Sequence, residues 1–208
     1  MNRGFALERI EIIRVLRSRV SENRFQHCLG VEAIALQLAT RFGVSETLVS
    51  PAALLHDLCR EYPADLLLKL ATKFDIVIDN IELDEPMLLH GVVGAMLARD
   101  ELGIKEPLIL EAITYHITGA PQLSALGQLI FVADMIEPGR KFKLAEQLRR
   151  AAFEIAPEQL LLKIYNHTIE YLIRRGYTIH PRTVAGRNEL IQKGVLLTDG
   201  TGTTENFP

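Results

Sequence analysis

Read along the chain, apolar residues recur every three to four positions in block after block, with polar residues between them. That is the period of an α-helix that buries one face. Residues 6–20 place Ile10, Ile13, Leu16 and Val20 on one side, and Ser21-Glu22-Asn23 interrupts them. A second helix is expected over 24–42, with His27, Val31, Ile34 and Leu38 on one face and Gly43 as its stop. Ser45 is placed to cap a third, which carries Pro51 in an early turn and ends near Leu58. Val49, Ala52, Ala53 and His56 share its inner face. Pro63 opens a helix over 64–74, and the acidic, mixed stretch 75–85 reads as a loop. Pro86 opens a helix to Leu102, closed by Gly103, with Leu89, His90, Val93 and Leu97 inward. Pro107 opens another to Tyr115-His116, on which Ile109, Ala112, Ile113 and His116 align. Residues 123–136 are strongly apolar, carry Asp134 near their end and stop at Pro138-Gly139. Amphipathic helices are expected over 142–155 and 157–175, and one more over 183–197. Residues 198–208 are polar and rich in Gly and Thr, and a frayed tail is expected there. No strand alternation longer than a few residues occurs, so the predicted fold class is all-α.

Composition narrows this reading without changing it. A chain of 208 residues that is 48% hydrophobic can bury one sizeable core, and one domain is the default. A net charge of −3 offers no basic field for nucleic acid. The first twenty residues hold Arg3, Glu8, Arg9, Glu11, Arg14, Arg17 and Arg19, and lack the apolar core of a signal peptide. No run of roughly 18 apolar residues exists to span a membrane. Cys28 and Cys59 make no disulfide framework, and a cytoplasmic protein is expected.

The chemistry concentrates on six residues. His56 and Asp57 stand side by side after Ala52-Ala53-Leu54-Leu55, at the end of an apolar helical run. Helix neighbours point about 100° apart, so such a pair grips one ion only from a helix end or with the carboxylate reaching across. Alone the pair is an ordinary helix terminus. It has company: His27, His90 and His116 also lie on inner helix faces, and Asp134 sits beside an apolar run where an unpaired carboxylate is costly. One inward histidine is usually a satisfied core residue. Four with two interior carboxylates point to a metal centre, and six N/O ligands exceed the needs of one tetrahedral zinc. They suit two ions sharing a bridging carboxylate, or one ion with an open octahedral position.

In order, His27, His56-Asp57, His90, His116 and Asp134 resemble the signature of the HD-domain phosphohydrolases. Three longer words, His27-Cys28-Leu29-Gly30-Val31, His116-Ile117-Thr118-Gly119 and Ala133-Asp134-Met135-Ile136-Glu137-Pro138-Gly139-Arg140, resemble the YqeK-type branch, the symmetrical bis(5′-nucleosyl)-tetraphosphatases. The similarity runs from about Arg24 to Lys141, with an echo in Thr183-Val184-Ala185-Gly186-Arg187-Asn188. It implies an HD helical bundle over 24–141 with a metal centre in its core. The helix in 1–23 would pack on that domain, 142–197 would supply its C-terminal helices, and 198–208 would be a flexible tail.

The resemblance also implies a two-ion centre, of iron or another divalent or transition metal. His27, His56, Asp57 and Asp134 would hold one ion, and Asp57, His90 and His116 the second. The expected reaction is symmetrical cleavage of diadenosine tetraphosphate to two ADP, by attack of a water that the metals hold and acidify. Where the family has a lysine three residues past the aspartate, this chain has Arg60, which keeps the charge but cannot donate a proton. Arg60 and Arg140 are therefore candidates to steady charge on the phosphates, and Thr118 and Gly119 to offer a hydroxyl and a backbone N–H. The expected partner is a dinucleoside polyphosphate or other nucleotide, with a homodimer left open and neither nucleic acid nor membrane. Other readings are an HD hydrolase of another nucleotide, a regulatory nucleotide-binding module, and a di-iron oxygenase. Cys28, Cys59, His167 and His180 are read as structural.

Overall fold

A computed structural model describes residues 8–197, so the first residues of the first expected helix and the expected tail at 198–208 lie outside the described residues. The described residues form helices α1 (Arg9–Arg19), α2 (Glu22–Leu38), α3 (Glu46–Leu55), α4 (Ala64–Lys73), α5 (Asn80–Asp84), α6 (His90–Leu102), α7 (Pro107–Tyr115), α8 (Ala125–Ile136), α9 (Lys143–Ala151), α10 (Pro157–Arg175) and α11 (Pro181–Gln192). No strand occurs among them. At its centre α2 packs against α3 and α8, and α7 packs against α3, α6 and α8. These five helices enclose a wholly buried apolar core that includes Val31, Leu38, Leu54, Val93, Ile113 and Leu129.

Polar contacts tie the outer helices to that core. Glu32, buried on α2, accepts two hydrogen bonds from Arg9 of α1, at 2.7 and 2.6 Å, and one from Ser50 of α3 at 2.5 Å. The fixed guanidinium fork docks α1 in one orientation. Tyr165 of α10 is buried against the loop after α7. Its hydroxyl accepts the Ala120 N–H at 3.2 Å, and burial pushes the phenol up to about 12. A Cβ at Gly119 would fall 2.1 Å from that hydroxyl, and one at Gly186 of α11 would fall 2.5 Å from it, so glycines let both segments close on the ring.

Several expected boundaries move. The stretch 75–85 is not all loop. Asp79 accepts the N–H groups of Ile81 and Glu82, both at 2.9 Å, and Glu82 returns a bond to the Asp79 N–H at 3.1 Å. This reciprocal cap nucleates α5. The helix expected over 86–102 is split into a 3₁₀ turn, Pro86–Leu89, and then α6. Helices α2 and α3 stop at Leu38 and Leu55, before Phe42 and Leu58, and α11 starts at Pro181 and stops at Gln192. Ile10, expected on the inner side of α1, is 68% exposed, and Ile12 takes the buried position with Leu16. The inward face is thus shifted from the one the spacing suggests.

A candidate two-part metal centre

The six residues singled out in the sequence converge in one cluster. Three of them owe their positions to ends of helical turns. His56 follows the last residue of α3, His116 follows the last residue of α7, and His90 follows the 3₁₀ turn. Carbonyls in a final helical turn lack intrahelical partners. Each ring folds back onto a carbonyl three residues earlier, which at Met87 also accepts the His90 backbone N–H: His56 Nδ1 to Ala53 O at 2.7 Å, His90 Nδ1 to Met87 O at 2.5 Å and His116 Nδ1 to Ile113 O at 2.7 Å. The fourth ring, His27 on α2, reaches Glu137 Oε1 with Nδ1 at 3.2 Å. A carbonyl or carboxylate oxygen only accepts, so all four Nδ1 atoms carry the hydrogen, and every Nε2 turns a lone pair inward.

These nitrogens meet the carboxylates in two groups. Asp57 Oδ1 lies 3.1 Å from His90 Nε2 and 3.4 Å from His116 Nε2. Its other oxygen, Oδ2, lies 3.4 Å from His56 Nε2 and 3.5 Å from His27 Nε2. His27 Nε2 is also 3.1 Å from Asp134 Oδ1. Facing nitrogens approach closely, at 3.3 Å for His27 and His56 and 3.1 Å for His90 and His116. Two lone pairs at that distance repel unless a cation lies between them. Ligands about 2.0–2.2 Å from one ion, at right or tetrahedral angles, stand about 3.0–3.5 Å apart, which is the spacing seen. The donor set thus fits metal ions. His56 lies within reach of both groups.

The groups differ in exposure. His56, Asp57, His90 and His116 are buried, whereas the Asp134 side chain keeps 22% of its surface and His27 keeps 10%. Burial pushes the Asp57 carboxyl up, but the surrounding rings of His56, His116 and His90 outweigh it and hold the group well below its usual range whenever one of them carries a proton on its inward nitrogen. Asp134 is lowered as well. Burial is opposed there by His27, His56 and Arg140.

Arg140 places Nη2 2.8 Å from Asp134 Oδ1 and Nε 3.2 Å from the Asp134 carbonyl, with part of its side chain open to solvent. Arg60 is different. Its backbone N–H bonds the Asp57 carbonyl at 3.0 Å, and its guanidinium pairs with neither carboxylate. Thr118 and Gly119, expected to offer a hydroxyl and a backbone N–H, bond locally in this structure. The Thr118 hydroxyl donates to Gly119 O at 2.8 Å, and the Gly119 N–H donates to Tyr115 O at 2.8 Å. Both donors are engaged inside the turn, and Gly119, at φ +63°, serves the close approach of Tyr165.

Two residues were missed by the sequence reading. Arg24 Nη1 lies 2.6 Å from Asp57 Oδ2. Glu137, besides its contact to His27, accepts the Gly139 N–H at 2.5 Å. Each stands three residues from a member of the cluster, Arg24 before His27 on α2 and Glu137 after Asp134, just past the end of α8. That spacing shares a face and was the available signal. Arg149 of α9 secures the same segment by donating to the carbonyls of Ile136, Glu137 and Arg140 at 2.6, 2.7 and 3.0 Å.

A further grouping, Asp79, Glu82 and His180, has ligand-like spacing but a different logic. His180 Nδ1 accepts the Arg182 N–H at 3.1 Å, so Nε2 carries the hydrogen and donates to Asp79 Oδ2 at 3.2 Å. Arg182 also pairs with Glu82 at 2.9 Å. This is a polar clasp between α11 and α5 in which both ring nitrogens of His180 are engaged.

The order of these six residues, and a fold that gathers them around one carboxylate, match a known family. The HD domain model matches residues 24–139. The chain is 33% identical over 92% of its length to a protein of Halalkalibacterium halodurans named symmetrical bis(5′-nucleosyl)-tetraphosphatase, of which 98% is covered. A Bacillus subtilis protein of the same name is 30% identical over 89% of this chain and 98% of its own. A crystal structure described as a predicted HD superfamily hydrolase involved in NAD metabolism, from Clostridium acetobutylicum, superposes with a TM-score of 0.85. It is 34% identical, covering 88% of this chain and 97% of that one. This chain belongs to the HD-domain hydrolases, in the family of the symmetrical bis(5′-nucleosyl)-tetraphosphatases. No described helix is long and apolar enough to cross a membrane.

Proposed function

We propose that this chain hydrolyses a dinucleoside tetraphosphate, with diadenosine tetraphosphate as the reference substrate, to two nucleoside diphosphates at a two-ion centre. The observation that carries the proposal is the division of labour at Asp57, whose two oxygens face separate sets of ring nitrogens. His27, His56, Asp57 and Asp134 would hold the outer ion, and Asp57, His90 and His116 the inner one, with iron the metal the resemblance favours. When bound, such ions supply Lewis acidity toward phosphate oxygens and acidify water at neutral pH.

The chain's own residues then bind and orient. The buried rings keep bulk water from the inner side of Asp57. On the outer side, Arg24 and Arg140 place two guanidiniums beside the carboxylates of the outer group, each part-exposed and able to turn toward an anionic chain. Guanidinium geometry matches phosphate oxygens. A tetraphosphate carries several negative charges, and two flanking cations suit it better than a single monophosphate.

The names of the two bacterial relatives support the symmetrical reading, while the NAD-metabolism description of the solved relative supports another nucleotide as the alternative. A purely regulatory binder has no need of six mutually facing ligands. Product analysis decides between the readings. ADP as the sole nucleotide product from diadenosine tetraphosphate is expected. AMP with ATP, or no turnover beside turnover of a mononucleotide, would overturn the symmetrical assignment.

A further inference from the structure

We infer that Glu137 is the positioning residue for His27 and sets how tightly the outer ion is held. This rests on the two-ion reading above and assigns a task within it. Three of the four rings are oriented by backbone carbonyls at the ends of helical turns. His27 lies inside α2, where carbonyls are spent in the helix ladder, so its ring needs an acceptor from elsewhere. Glu137 Oε1 supplies it at 3.2 Å, giving His27 a charged support where the others have a neutral one.

The surroundings of Glu137 form a fitted slot. The residue is 4% exposed and follows the last residue of α8, three positions after Asp134. One segment therefore carries both a ligand and the support of another ligand. Glu137 Oε2 accepts the Gly139 N–H at 2.5 Å. A Cβ on Gly30 would fall 2.6 Å from Oε2, and one on Gly139 would fall 2.8 Å from Oε1. These glycines leave room for a carboxylate. Among the described residues no Lys or Arg pairs with that carboxylate, since Arg149 and Arg140 bond other atoms. A buried negative charge needs a compensating cation. An ion on the far side of the His27 ring provides one through the imidazole, as in carboxylate–histidine–metal triads. Glu137 thus touches neither substrate nor ion.

The test is metal binding by chelator competition, with elemental analysis, on the full chain and on Glu137→Gln, Glu137→Ala and Gly30→Ala. Wild type should hold two ions of unequal affinity. Glu137→Ala should keep the inner ion and bind the outer one about 10–100-fold more weakly, the range seen for lost ligand supports. Glu137→Gln, nearly isosteric and still an acceptor, should fall between. Gly30→Ala leaves the carboxylate present but displaces it, and should reproduce the loss. Cobalt substitution gives a reading besides activity: the absorption of one of two cobalt ions should change and the other stay. A purely structural Glu137 would lower the melting temperature while leaving both affinities alone, and that result overturns the inference. Failure of wild type to hold two ions overturns the two-ion reading instead.

Discussion

The two sides of Asp57 are built by different means. The inner side, His90 and His116, is fully buried and oriented by backbone carbonyls of adjacent turns. The outer side, His27 and Asp134, is partly open and surrounded by charged side chains: Glu137, Arg140 and, on the shared carboxylate, Arg24. An orientation set by helix ends survives any mutation that leaves the helices intact. An orientation set by side chains is adjustable, and it lies where a substrate can arrive. On the proposed two-ion reading, the inner half would be the anchor and the outer half the working face.

Removing Asp57 should erase the distinction. Asp57→Ala takes away the oxygens facing both groups, and elemental analysis should find most of both ions lost and hydrolysis at background. Retention of both ions and activity would break the shared-carboxylate centre. Separate histidines should then resolve the halves. His116→Ala is expected to lose activity that added metal does not restore, because an inner buried vacancy is left. His27→Ala should recover part of its activity as the metal concentration rises. Equal responses of the two variants would remove the contrast.

The arginines make a finer cut through the working face. Arg140→Ala and Arg24→Ala should retain both ions while kcat/KM for diadenosine tetraphosphate falls about 10–100-fold, the worth of one charge-assisted contact. Arg140→Lys should recover only part, since a point charge cannot reproduce the fork. Wild-type kinetics in Arg140→Ala would reduce it to a helix-end residue. The smallest effects are expected at the thiols. Burial pushes Cys28 well above its ordinary range and Cys59 up to about 12. Neither should react with a thiol reagent at pH 8 in the folded protein, and Cys28→Ser and Cys59→Ser should keep both ions. A buried thiol with a raised value favours the folded state below its unfolded value of about 9, so this contribution should be lost progressively as pH rises from there toward 12. A metal equivalent lost with either cysteine would mean a misassigned ligand.

How much of this was legible in the sequence follows from what spacing can encode. The helical class and the inward faces of α3, α6 and α7 were legible, because burial repeats with the helix period and Ala53, His90 and Ile113 obey it. The six clustered residues were legible from their order. Helix ends were not, because they depend on which groups satisfy the final turns: Leu38 and Leu55 end helices that the apolar pattern alone would continue. The α5 turn was hidden by its acidity, although Asp79 and Glu82 hold the spacing of a reciprocal cap. Arg24 and Glu137 escaped because a supporting residue is defined by its partner across the fold, 33 and 110 positions away. The local bonds of Thr118 and Gly119 within their turn were likewise not legible, since sequence spacing does not describe that turn.

Arg149 gathers three carbonyls from the segment carrying Asp134, Glu137 and Arg140, yet it lies on α9, beyond residue 139 where the family match ends. The stretch that defines the family by ancestry is therefore not the stretch that suffices mechanically. A graft of residues 24–139 onto another scaffold would inherit all six clustered residues without the brace that keeps one flank of them still. Inheritance and rigidity have different borders in this chain, and the second runs at least one helix further.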